Sequence, residues 1–340
     1  MPYKHLFACL LATFLPFPLL AQNPAAVDSA ADELLREFDR DADGKLNRSE
    51  LKAALASLAA STTPDALAPA TSADQTLRVL KAPKFIRVQR DKRDRPISLE
   101  TSVVTYRKQD SKMHVDLIGA VHVGDQSYYD ELNRRFRDYD VLLYELVAPE
   151  GVRVPKGGGK SQHPVGQMQQ GMKSMLELEY QLEKIDYHAK NFVHADMTPE
   201  EFSKSMKDRN ESFLQIMFRM MGQASAQQSK GKGPSDFDML FALFAKDRAR
   251  RLKQAMAVQF EDIEGQMKAL QGPDGSTLIT ERNKKALAVL KKQIDGGKKK
   301  IGIFYGAGHF PDMSKRLTDD FGLSPVNEEW VRAWNMEKKK

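Results

Sequence analysis

Two short stretches of this 340-residue sequence share one pattern: GAVH at 119–122 and GAGH at 306–309 are both Gly-x-x-His. With 21 glycines and 7 histidines in the chain, chance alone yields such a match roughly 0.4 times, so the pattern by itself says little. Its setting says more. Each box closes an apolar run that reads as a buried strand, and each is followed by a helical pattern. A third apolar run, DVLLYELV, carries Glu145 near its end. His122, His309 and Glu145 offer two imidazoles and a carboxylate, donors that a divalent transition metal accepts while keeping positions open for water and substrate. Such an ion lowers the pKa of its water and polarises a carbonyl, which is hydrolytic chemistry. The same residues also read as two ordinary strand-end histidines and a glutamate paired with a nearby cation, such as Arg153. There is no His-Glu-x-x-His box, so zincin chemistry has no support.

The surrounding pattern says how these residues could meet. HVDLIGAVHVG reads as a strand, DQSYYDELNRRFRDY as an amphipathic helix and DVLLYELV as a second strand. A crossover of this kind makes the two strands parallel, so His122 and Glu145 reach one edge of the sheet. If the 301–309 strand joins in parallel, His309 arrives at the same edge, where open α/β sheets hold their ligands. Upstream, FIRVQR and ISLETSVVTYRK flank the charged turn DKRDRP and predict a β-hairpin. PDMSKRLTDDF reads as a helix and SPVNEEWVRAW as a closing strand. The expected fold is α/β, with a central mostly parallel sheet over residues 78–336 and a large helical insertion at about 163–295. A methionine-rich run in that insertion, FLQIMFRMM, reads as core filling or as an adaptable apolar groove.

A second chemistry lies near the start of the chain. Asp39, Asp41, Asp43, Gly44, Lys45, Asn47 and Glu50 stand at positions 1, 3, 5, 6, 7, 9 and 12 of a loop. A hard cation takes about seven oxygens, and a 12-residue loop wraps one when glycine occupies the sharp turn. Asp39, Asp41, Asp43 and Glu50 supply carboxylates, Lys45 its carbonyl, and Asn47 acts through water. Amphipathic helical patterns flank the loop, so residues 28–60 resemble an EF-hand that binds calcium. No second loop is seen, so the lone hand is expected to bind more weakly, to pair by homodimerisation or to pack on the main domain. The Ala-, Ser-, Thr- and Pro-rich stretch at 61–77 reads as a linker.

Residues 1–21 carry a positive start, an apolar run and a small residue at Ala21, the layout of a signal peptide. The mature chain is then expected to be exported, periplasmic or extracellular, with no membrane span. Cys9, the only cysteine, lies within that segment, so neither disulfide nor thiolate chemistry is expected afterwards. The net charge of +6 comes largely from local lysine runs without interleaved aromatics, which argues against nucleic acid as a partner.

LIGAVHVGDQSYYDEL, DVLLYEL, LITERNKKAL and IFYGAGHFPDM, in this order, resemble the TraB/GumN/Tiki family, within a wider set of erythromycin-esterase-like and ChaN-like folds. The resemblance covers most of 110–325. It implies a metal-dependent protease, with Mn2+ or Co2+ typical and Zn2+ an alternative. It places His122, Glu145 and His309 at the metal or catalytic centre, and Arg282, beside Asn283, on a developing oxyanion. Without the family, Arg282 reads as a surface charge or a structural salt bridge. His194 and Asp196, in FVHADMTPEEF, are further candidates, although that stretch also reads as an ordinary helix-opening turn. The expected function is an exported, calcium-binding, metal-dependent hydrolase acting on peptides or proteins. A non-catalytic peptide or haem binder of the same fold and a calcium-dependent envelope scaffold are the alternatives.

Overall fold

The computed structural model describes residues 79–149, 151, 176–212, 245, 247–258, 260 and 275–338. The signal peptide, the EF-hand, the linker, Arg153 and the methionine-rich run at 213–221 lie outside the described residues.

The chain enters the fold through an antiparallel hairpin, β1 (Ile86–Arg90) and β2 (Pro96–Arg107). Asp91 closes its turn by accepting from the amides of Arg93 and Arg95 and from the Arg95 guanidinium. Strand β2 is 12 residues long and mostly buried, and both of its edges are used. Along one edge it pairs first with β1 and then with β3 (His114–Ala120), while β9 (Ser324–Asn335) runs antiparallel along the other.

Beyond β3 the sheet is parallel. Strand β8 (Lys300–Gly306) lies between β3 and β5 (Val141–Tyr144), and the three-residue strand β7 (Phe192–His194) pairs with β5 on the far side. The architecture is therefore α/β with a mixed sheet of mostly parallel strands. A small separate ribbon joins β4 (Val123–Gly124) to β6 (Glu179–Tyr180). The described part of the expected helical insertion is not helical throughout, since it contributes β6 and β7.

Helix α1 (Gln126–Phe136) makes the crossover from β3 to β5 and buries Tyr128, Tyr129, Leu132 and Phe136 on one stripe. Each such side chain contributes roughly 1.5–3 kcal/mol on full burial. Packing rather than intrinsic propensity therefore holds this short helix. The two tyrosines also reach back, donating to the carbonyls of Gly119 and Val121 at 2.7 and 3.1 Å, so α1 braces the turn that presents His122.

After the single-turn α2 (Gln181–Lys184) and β7, helix α3 (Pro199–Asp208) begins with a complete capping box. The Thr198 side chain accepts from the Glu201 amide, and the Glu201 carboxylate accepts from the Thr198 amide. Thr198→Ala should cost about 1 kcal/mol, read as a lower urea midpoint at unchanged slope. An unchanged midpoint would mean that the box does not hold this helix.

Helix α4 (Arg248–Ala257) packs on β2, buries Leu252 and Met256, and ties its buried Lys253 to Asp125 at 2.8 Å. A π-helical turn, Thr277–Glu281, then leads into α5 (Arg282–Asp295). Turns of this type are rare and concentrate at functional sites. Here it brings Arg282 and Asn283, buried at the start of α5, against the sheet edge. A 3₁₀ turn, Ala307–His309, links β8 to α6 (Phe310–Asp319). Among the described residues no helix is long and apolar enough to cross a membrane.

Candidate functional site

The register of the parallel strands fixes what meets at their carboxyl ends. Ala120 lies beside Gly306, Phe304 beside Tyr144, and Tyr144 beside His194. His122, Glu145, Asp196 and His309 each lie one to three residues past a strand end, so all four leave the sheet on the same edge.

Arg282 is the hub. Its side chain is 1% exposed and it joins two carboxylates. Nη2 donates to Glu145 Oε1 at 2.7 Å and to Asp196 Oδ2 at 2.6 Å, and Nε donates to Asp196 Oδ1 at 2.9 Å. Nη1 donates to His309 Nε2 at 3.5 Å. A guanidinium carries five N–H groups, so one N–H on Nη1 is unspent among the described residues. Burial works against its charge, but Asp196 and then Glu145 outweigh that and raise its pKa. The glutamate thus has a cationic partner, Arg282, which lies 137 positions away in the sequence.

Glu145 is equally confined. Oε2 accepts from the Gly306 amide at 2.6 Å. A Cβ on Gly306 would sit 3.3 Å from that same oxygen, so glycine here permits the close approach of strand and carboxylate. Burial alone would raise the Glu145 carboxyl. The Arg282 guanidinium outweighs it and holds the group well below its ordinary value.

His309, 2% exposed, is oriented by Asn283. The Asn283 amide nitrogen faces two acceptors, the His309 carbonyl at 3.0 Å and Asp312 Oδ2 at 2.8 Å. Its Oδ1 must then face the ring, so His309 donates from Nδ1 at 2.7 Å and turns Nε2 toward Arg282 and Glu145. His122 keeps part of its surface exposed. Its Nδ1 meets Gln181 Oε1 at 3.1 Å, and the Gln181 amide nitrogen donates to the Tyr187 hydroxyl at 2.8 Å. The protein packed around the ring lowers the His122 pKa by desolvation, partly offset by the Glu145 charge, which favours the neutral imidazole.

Two of the candidates from FVHADMTPEEF separate. Asp196, 1% exposed, belongs to the cluster. His194 does not: its Nε2 contacts the Leu146 carbonyl and its ring packs on Tyr144. The helix cap in that stretch is Thr198, which leaves the Asp196 carboxylate for Arg282. Gln181 and Tyr187 are additions the sequence reading missed. Neither belongs to a motif, and Gln181 is 59 positions from His122.

The donor types fit a divalent transition ion. Glu145 Oε1 and His309 Nε2 are 3.5 Å apart, close to the ~3.4 Å that separates two ligands each ~2.1 Å from one ion at a near-tetrahedral angle. The same two atoms also receive N–H groups from Arg282, so an ion would share them with the guanidinium. Among the described residues no group of three or more His, Cys, Asp or Glu side chains is clustered tightly enough to hold a metal. His122 makes no hydrogen bond or ion pair with the other two candidates.

No family model matches the chain, and neither a curated protein nor a solved structure matches it. The resemblance to the TraB/GumN/Tiki family therefore rests on the motif residues alone.

Proposed function

We propose that the chain is a hydrolase of peptide or ester bonds working at the carboxyl ends of β3, β5 and β8. One observation carries this reading. His122 and His309 each have Nδ1 against a side-chain amide oxygen, on the edge where Arg282 keeps Glu145 ionised. An imidazole tied through Nδ1–H offers Nε2 as a proton acceptor or as a metal ligand. His122, being partly exposed, is the imidazole that would meet water and substrate. His309 and Glu145 are buried and would set the field around it.

A divalent transition ion, Mn2+, Co2+ or Zn2+, would be held by His122, Glu145 and His309, and when bound would supply a Lewis acid and a water of lowered pKa. Arg282 excludes water from behind Glu145, and its unspent N–H is the donor that would meet an oxyanion. The family resemblance supports the same assignment. In this reading the protein is exported, and the EF-hand at 28–60 is a calcium-binding accessory through which two copies could pair.

The test is hydrolysis of a peptide and ester panel by the purified mature chain, with metal content measured before and after chelation. Turnover that falls on chelation and returns with one of the three ions is expected. Absence of turnover across the panel with every ion would overturn the reading. Asp39→Ala with Glu50→Ala should abolish calcium binding in titration calorimetry and leave transition-metal content unchanged. Loss of both together would show that the two sites are not separate.

A further inference from the structure

We propose that Gln181 is a positioning residue that holds His122 as its Nδ1–H tautomer, with Tyr187 fixing the orientation of the Gln181 amide. This rests on the reading of His122 as a working imidazole, but its test does not depend on hydrolysis.

The geometry is a two-point clamp. The Gln181 backbone amide donates to the His122 carbonyl at 3.0 Å, while the side-chain oxygen faces Nδ1 at 3.1 Å. The small ribbon of β4 and β6 brings this about: Val123, next to His122, pairs with Tyr180, next to Gln181. The ribbon thus fixes both ends of the contact, and Gln181 is itself 5% exposed.

A side-chain amide can turn over, and two hydrogen-bond patterns would satisfy the pair. In one, Gln181 accepts from His122 Nδ1–H and donates to the Tyr187 oxygen. In the other, Gln181 donates to an unprotonated Nδ1 and accepts the Tyr187 hydroxyl. The structure holds the first: Gln181 Oε1 faces His122 Nδ1 at 3.1 Å, and its amide nitrogen faces the Tyr187 hydroxyl at 2.8 Å. In the first pattern His122 also presents a bare Nε2, the atom that the proposed chemistry uses. Amide partners that fix the tautomer of a working histidine typically matter roughly 10–100-fold to activity or metal affinity.

The experiment is a long-range nitrogen–proton correlation spectrum of the full chain labelled in histidine, recorded at mildly alkaline pH with and without chelator. Wild type should show His122 with a protonated Nδ1 and a bare or metal-bound Nε2. Gln181→Leu removes the acceptor and should move the proton to Nε2. Gln181→Glu keeps an acceptor and should retain the wild-type tautomer. Tyr187→Phe leaves the aromatic packing and should give a mixture, because the amide is freed to turn. Turnover should fall roughly 10–100-fold in Gln181→Leu and recover in Gln181→Glu, a rescue that a merely structural role would not produce. A wild-type His122 protonated at Nε2, or a tautomer indifferent to Gln181→Leu, overturns the proposal. If the tautomers behave as stated and no substrate is turned over, the positioning role stands and the hydrolase assignment fails.

Discussion

Arg282→Met should cost about 3–5 kcal/mol of folding stability, the usual loss when one partner of a buried ion pair is removed. For a chain of this size that is roughly 4–7 °C in Tm. The effect is large because Arg282 is the only cation contacting two buried carboxylates, Glu145 and Asp196, among the described residues. Removing it leaves two negative groups side by side and out of water. Arg282→Lys should recover part of the loss, since an ammonium restores the charge but not the fork that grips Asp196 through two nitrogens.

The pH dependence gives a stricter test. In the wild type the Glu145 pKa is held well below 4.5. Its pairing therefore stabilises in full above that value, and the contribution is lost as pH falls through the lower folded pKa. In Arg282→Met the sign reverses. Burial then raises the Glu145 pKa, so the variant gains stability as pH falls. The gap between the two proteins should be widest near neutrality and narrow below about pH 4.5. Urea melts across that range read it directly. A loss under about 1 kcal/mol, or a gap independent of pH, would mean that Arg282 does not carry the cluster.

The part of this site that was legible in the sequence is the part set by strand topology. His122, Glu145 and His309 each follow an apolar run, and parallel pairing was enough to bring the runs to one edge. The insertion of β8 between β3 and β5 then puts His309 between the other two. Arg282 was harder to read. RNKK looks like a solvated helix start, and nothing local says that its first two residues turn inward while the lysines turn out. That choice is made by the π-helical turn before it and by carboxylates far away in sequence.

Asp196 was a candidate with a competing reading, an ordinary helix-opening turn. In DMTPEE either Asp196 or Thr198 could cap a helix. The Thr-x-x-Glu spacing favours Thr198, and once the threonine caps, the aspartate is free for another partner. Gln181 and Tyr187 carried no signal at all. A glutamine that orients a histidine leaves no spacing pattern, because the contact is made by a two-residue ribbon that only the folded chain defines.

His122→Ala should lower kcat by roughly 10²–10⁴-fold, the usual worth of a positioned acid–base group, while Tm changes little. The second half of this prediction follows from where His122 sits. It is partly exposed, lies beyond the end of β3 and, among the described residues, makes one side-chain hydrogen bond, to Gln181. His309→Ala should lower kcat similarly but should also destabilise, since that ring is buried between Asn283, Arg282 and Tyr305 and truncation leaves a cavity there. The two variants therefore separate chemistry from folding. Steady-state rates on the best substrate of the panel, paired with thermal melts and metal analysis, give the comparison. If His122→Ala keeps its rate within about threefold of wild type, His122 is an ordinary strand-end histidine and the assigned chemistry must lie elsewhere. If it loses metal as well as rate, His122 is a ligand. If it loses rate alone, His122 acts as the proton acceptor, and the metal, where present, is held by the buried pair of Glu145 and His309.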